Sequence, residues 1–106
     1  MVTRGEVWLA RLDPTEGHEI QKTRPCVVVS PPEIHDFLDV VIVAPMTTGS
    51  GAAPFRIELV FNRKQNRILL DQIRTIDKRR LLRRLGAIEG KAADLVLAGL
   101  RELFSE

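Results

Sequence analysis

The longest apolar run in the chain, Val40 to Met46, is seven residues long and carries Pro45 inside it. A membrane-spanning helix needs about 20 apolar residues, so this run cannot supply one. Its valines and isoleucine favour a buried strand, with the proline placed where an edge or bulge tolerates it. A second run, Pro25 to Ser30, has the same character and is stopped by Pro31-Pro32. Short, proline-bounded, β-branched runs point to a small β structure.

The remaining segments extend that pattern. Gly5 to Leu12 sets Val7, Leu9 and the stem of Arg11 against Trp8, Ala10 and Leu12, a strand partly covered on both faces. Phe55 to Phe61 places Phe55, Ile57, Leu59 and Phe61 on one side and Arg56, Glu58 and Val60 on the other. Arg67 to Ile76 reads as a fifth strand. Asp13 to Gly17 is turn chemistry, and Thr47 to Pro54 is a loop of small residues. Beyond it the period changes. Asp77 is a suitable N-cap for a short helical turn reaching Leu85, Gly86 to Ile88 reads as a last short strand, and Lys91 to Phe104 as an amphipathic helix. In that helix Ala93, Val96, Leu97, Leu100, Leu103 and Phe104 fall on a stripe ~120° wide. The predicted fold is therefore mainly β (α+β): a small barrel or strongly bent sheet of five to seven short strands, closed by the C-terminal helix.

With 106 residues, 44% of them apolar and 28% charged, the chain has the balance of one globular domain spanning residues 1–106. A core this thin makes dimerisation an expectation. No apolar signal core follows Met1 to Glu6, so a cytoplasmic protein is expected. The single cysteine, Cys26, lies in an apolar strand and reads as a small core residue. No paired Cys or His spacing suggests a metal, and no glycine-rich phosphate loop suggests a nucleotide, so no cofactor is expected.

Charge is unevenly spread. Residues 1–40 carry a net −3, residues 41–55 none, residues 56–84 a net +7 and residues 85–106 a net −2. A basic block flanked by acidic segments suits a polyanion, although a solvated charged face has the same composition. Polar groups gather at three strand ends: Gly17-His18-Glu19, Arg24-Pro25, and Pro45-Met46-Thr47-Thr48. Taken singly, each has a plain structural reading. His18 and Glu19 fit a solvated turn, Thr47 and Thr48 fit turn caps, and Arg24 fits an ion pair with Glu19 or Asp71. Asp71 and Arg74 would point to opposite faces of the fifth strand, and a buried Asp71 would need a partner.

Five stretches occur in order: Arg4-Gly5-Glu6-Val7-Trp8, Asp13-Pro14-Thr15-Glu16-Gly17-His18-Glu19, Thr23-Arg24-Pro25-Cys26-Val27-Val28-Val29-Ser30-Pro31, Ala44-Pro45-Met46-Thr47-Thr48 and Leu70-Asp71-Gln72-Ile73-Arg74-Thr75-Ile76-Asp77. Together they closely resemble the MazF/PemK family of toxin endoribonucleases. The resemblance runs from about residue 3 to residue 88. It implies an SH3-like barrel, a homodimer, a cognate antitoxin with an acidic disordered tail, and metal-independent cleavage of single-stranded RNA. The family's essential arginine falls on Arg24, its threonine on Thr47 and its glutamate on Glu19. A histidine and an aspartate carried by some members fall on His18 and Asp71. Where many members have glutamine and glycine this chain has Ile20 and Lys22, and where some have an arginine two residues before the aspartate it has Leu69.

RNA brings its own nucleophile, the 2′-hydroxyl. The protein must take its proton, stabilise charge on the phosphorane and let the 5′-oxygen leave. A guanidinium is a rigid bidentate phosphate donor and suits Arg24 to the second task. Thr47 can donate to a non-bridging oxygen. Glu19 or His18 suits the base role. Lys22, Thr48, Arg74, Lys78, Arg79 and Arg80 are the expected RNA contacts, and an acidic antitoxin tail would lie along the same basic block. With one Trp and four Phe, stacking on aromatics is not expected to be the main grip. The alternatives are a non-catalytic toxin on the same fold that binds a protein target such as gyrase, and a plain SH3-like adaptor.

Overall fold

The computed structural model describes residues 1–20, 22–49 and 51–106. Its elements are β1 (Glu6–Arg11), β2 (Thr23–Val28), α1 (Pro32–His35), β3 (Val40–Thr47), β4 (Arg56–Phe61), β5 (Lys64–Leu69), β6 (Arg74–Asp77), β7 (Leu81–Ala87) and α2 (Gly90–Leu103). The seven strands form one bent sheet in the order β4-β5-β3-β2-β1-β7, with β6 also paired to β3. The mainly β architecture with a C-terminal helix is as predicted.

β3 is the hub. One edge pairs antiparallel with β2, with Cys26 opposite Pro45 and Val28 opposite Val43. Its other edge is shared. Val40 to Val43 pair with β6, while Met46 and Thr47 pair with β5. Ala44 and Pro45 fall in the gap between those two partners. This internal strand therefore accommodates a proline, because no neighbour needs its missing N–H there. The expected edge position is corrected accordingly: Pro45 is central, and the partner switch does what an edge would have done.

Sharing one strand edge between two partners also explains the largest departure from the predicted elements. A continuous fifth strand over 67–76 cannot pair with both ends of β3. The chain breaks instead at a 3-10 turn, Leu70–Gln72, that carries it from β5 to β6. Asp71 therefore sits on this turn rather than in a strand. The helical turn after Asp77 is real but covers only Lys78–Arg80, with the Asp77 side chain accepting from the Arg79 N–H. From Leu81 the chain is β7, paired along the free edge of β1. The last strand thus begins well before Gly86, because an unpaired edge on β1 outweighs the helical period of Leu-Leu-Arg-Arg-Leu. α1 follows Pro31, where only a strand stop was expected. The predicted loop over 47–54 includes Ser50, outside the described residues, and Thr47 itself ends β3.

Alternation on β2 and β3 feeds two cores. Val27, Val29, Ala44 and Met46 join Ile68, Leu70 and Val96 beneath α2. Cys26, Val28, Val41 and Val43 face the other way, with Ala10, Leu12 and Ile76. α2 presses so closely that a side-chain carbon at Gly99 would stand 2.6 Å from Leu70 Cδ1. Phe104, placed on the apolar stripe by periodicity, is 73% exposed, because the helix ends at Leu103 and its cap residue turns away. No helix among the described residues is long and apolar enough to cross a membrane.

Candidate active site

Two strands deliver the central pair. Arg24 lies on β2 opposite Ala10, and Thr47 ends β3 opposite Arg67 of β5. Arg24 Nη1 donates to Thr47 Oγ1 at 3.4 Å, and the Gly49 N–H donates to the same oxygen at 3.2 Å. The hydroxyl thus accepts twice, and its own proton is left to donate outward. Both residues line an open polar cleft of about 430 Å3 together with His18, Thr48 and Gly49. Ile20, Arg56, Leu69 and Gln72 complete its lining.

The loop between β1 and β2 brings His18 to this cleft, and its root is pinned on several sides. The Leu12 N–H donates to Lys22 O at 2.9 Å, and Asp13 Oδ1 accepts from the Lys22 N–H at 2.8 Å. Lys22 takes φ 70°, a left-handed turn that points the chain into β2. Gln72 Oε1 accepts the Ile20 N–H at 2.7 Å, tying the loop to the 3-10 turn. Arg74 Nη1 donates to Leu12 O at 3.2 Å, and Arg80 Nη1 to Arg11 O at 3.0 Å and to Asp13 O.

The expected site residues are thus sorted into groups. His18, Arg24, Thr47 and Thr48 share the cleft. Glu19 instead lines a neighbouring cleft with Asp71 and Arg74, and its carboxylate accepts the Glu16 N–H at 3.1 Å. Asp71 is held by Arg56, which donates Nε at 3.1 Å and Nη2 at 3.0 Å. The ion pair between Asp71 and Arg24 considered from sequence is replaced by this one, because Arg56 starts β4 directly across from Leu69 and reaches the 3-10 turn first. The hydrogen bond to Asp71 raises the Arg56 pKa above its usual value.

Lys78 and Arg79 lie elsewhere, and Arg80 reaches only the root of the β1–β2 loop, not the cleft lining. Asp77 pairs with Val40, and Thr47 is seven residues further along β3, a separation of about 23 Å at ~3.3 Å per residue. Lys78 Nζ donates to His35 O, and Arg79 clasps Asp77 with Nε at 3.0 Å. That hydrogen bond holds the Asp77 carboxyl below its usual range and raises Arg79. Cys26 is fully buried, as expected, and burial pushes its thiol up to about 12 against the pull of Arg74 and Arg24. Among the described residues no cluster of three or more His, Cys, Asp or Glu could hold a metal ion.

Sequence reasoning missed Arg56 and Gln72. Gln72 belongs to the Asp-Gln motif but nothing local announces its bond to the Ile20 amide, and Arg56 enters the cleft only through strand register.

Comparison with known proteins bears on this arrangement. Residues 3–104 match the family described as the PemK-like, MazF-like toxin of type II toxin–antitoxin systems. Endoribonuclease PemK of Escherichia coli is 42% identical over 79 residues, which are 70% of this chain and 59% of that protein. Endoribonuclease MazF of Staphylococcus epidermidis is 38% identical over 91 residues, covering 80% of this chain and 76% of the relative. The match therefore spans about three fifths of the E. coli relative's length. Among solved structures, MazF of Deinococcus radiodurans superposes with TM-score 0.83 at 24% identity, covering 94% of this chain and 93% of the other. A mycobacterial endoribonuclease solved with its cognate antitoxin gives 0.80 at 18% identity, over 96% and 93%. These structural likenesses concern the fold, a seven-stranded MazF-like sheet with a C-terminal helix. By the family match along nearly its whole length, the chain belongs to the PemK-like, MazF-like toxins.

Proposed function

We propose that this protein is a toxin endoribonuclease that cleaves single-stranded RNA without a metal ion, and that residues 1–106 act as one unit. The observation that carries this reading is the junction of the Arg24 guanidinium and the Thr47 hydroxyl on one wall of an open polar cleft. A phosphodiester placed there meets a charged fork and an outward hydroxyl donor, which together stabilise charge as it gathers on phosphorus. The RNA 2′-oxygen attacks phosphorus, its proton passes to a base, and the bond to the 5′-oxygen breaks as that oxygen takes up a proton. The products are a 2′,3′-cyclic phosphate and a 5′-hydroxyl. His18 takes the base role ahead of Glu19, since His18 lines this cleft and Glu19 the next one. Thr48 and Lys22 flank the strand end and contact the RNA backbone. Asp71 is a support for Arg56 rather than a base.

In the same reading the toxin is a cytoplasmic homodimer restrained by an antitoxin with an acidic tail. The PemK and MazF relatives are named endoribonucleases, and one neighbouring structure holds its cognate antitoxin. The test is incubation of the purified protein with long single-stranded RNA in EDTA, followed by mapping of both new ends. Cyclic-phosphate and 5′-hydroxyl ends are expected. Cleavage that needs added magnesium, 5′-phosphate ends, or intact RNA would overturn it.

A further inference from the structure

We propose that Arg56 is a second phosphate-binding arginine of this cleft and that Asp71 is the residue that presents it. The proposal rests on the functional reading above and adds a residue that neither motif nor periodicity singles out. Arg56 opens β4 and stands directly opposite Leu69 of β5, so both side chains come from one cross-strand pair and both line the cleft. The Arg56 side chain is only 19% exposed, yet it carries a full charge. Asp71 engages Nε and Nη2 along one edge of the guanidinium. Five N–H bonds radiate from an arginine fork, so the Nη1 edge is left for an acceptor in the cleft.

The pairing does more than neutralise. A two-point clasp fixes the plane of the fork, so little rotamer freedom remains to be lost when a phosphate arrives. The charge arithmetic of the reaction calls for such a group. A phosphodiester carries one negative charge, and the phosphorane formed by an attacking alkoxide carries two. Arg24 matches the first, and a second fork lining the same cleft matches what develops on the way to the transition state. Arg56 therefore acts on the reacting phosphate, and Asp71 acts through Arg56.

The test is single-turnover RNA cleavage in EDTA, read beside the affinity of a non-cleavable 2′-deoxy oligonucleotide. Arg56→Ala is expected to lower the cleavage rate about 10²–10³-fold, with a smaller loss of oligonucleotide affinity. Arg56→Lys keeps the charge but loses the fork, and should stay close to the alanine variant. Asp71→Asn should lower the rate about tenfold while leaving the KM near wild type. The double variant Arg56→Leu with Leu69→Arg moves the guanidinium to the facing strand and should regain about tenfold over Arg56→Leu alone. Arg101→Ala, on the exposed face of α2, is the control that leaves the rate unchanged.

The proposal is overturned if wild type cleaves, Arg24→Ala does not, and Arg56→Ala, folded by circular dichroism, cleaves like wild type. It is equally overturned if Arg56→Ala loses only thermal stability at full activity per folded molecule. If the wild-type protein leaves RNA intact, the functional reading fails by itself. The oligonucleotide affinity then decides, and equal affinity for wild type and Arg56→Ala sinks the proposal.

Discussion

Cations from neighbouring elements flank β3 at both of its ends, and the two ends use them differently. Near Val40, the donors of Lys78 and Arg79 go to His35 O and to the adjacent Asp77. Beside Thr47, the Arg24 guanidinium meets a hydroxyl at the mouth of a cleft. The basic block that dominates the charge map is thus largely structural: Arg84 holds Glu6, Arg67 holds Glu58, and Arg74 and Arg80 brace backbone carbonyls. Density of charge along a sequence marks where cations are, whereas the fold decides which of them face the cleft.

The sharpest way to break this contrast is to remove one arginine from each end. Arg24→Ala should cut RNA cleavage about 10²–10³-fold, the usual loss for a preorganised donor. Arg79→Ala should leave the rate near wild type. End-labelled RNA assays on both variants check it, and equal losses would erase the distinction. A second probe tests whether the braces serve the cleft. Arg74→Ala leaves the buried root of the β1–β2 loop at Leu12 without its donor, and should cost about 1–3 kcal/mol in urea unfolding. Its cleavage should fall about tenfold, as His18 and Ile20 lose their support.

The third probe uses pH. The Glu6 side chain is 13% exposed. Burial raises its pKa, but acceptance of the Thr3 amide, the Arg84 guanidinium and the Trp8 indole outweighs that and leaves it lowered from 4.5. A carboxyl lowered on folding stabilises the protein above about pH 4.5, and that contribution disappears as pH falls through the folded value. Glu6→Gln should therefore cost about 1 kcal/mol at pH 7 and less at pH 3.5, measured by urea titration at both. The smallest effect is expected at Gly99. Alanine there gains about 1 kcal/mol of helix propensity, but overpacking against Leu70 costs about 1–3 kcal/mol. Thermal unfolding should show a small net loss, and a stabilised variant would mean that Leu70 repacks freely.

Much of this was legible beforehand, for physical reasons that differ by element. The alternation in β4 is local, and so is the apolar stripe of α2, so periodicity found both. Arg24, His18, Thr47 and Thr48 were brought together by ordered motifs, and they share one cleft. What escaped depends on pairing. Leu69, Leu70 and Ile73 keep an apolar rhythm across a 3-10 turn, so nothing local announces the break. Leu81 to Leu85 has a helical rhythm and becomes a strand because β1 offers an edge. The β4–β5 hairpin turns through Asn62 and Arg63 at φ 50° and 65°, without the glycine that usually marks such a turn. Arg56 lines the cleft only because register sets it opposite Leu69.

The cleft draws on residues from position 18 to position 72, and that spread has a consequence in time. A ribosome makes Arg24 and Thr47 early, but at that moment β5 does not yet flank Thr47, and Gln72 does not yet hold the Ile20 amide. β7 has still to close on β1, and α2, which packs over Leu70, comes after β7. A half-made copy thus has the reactive groups without the walls that align them. Under the proposed activity, a chain made only as far as Thr47 carries the arginine and the hydroxyl but lacks the β5 and Gln72 contacts that present them to RNA.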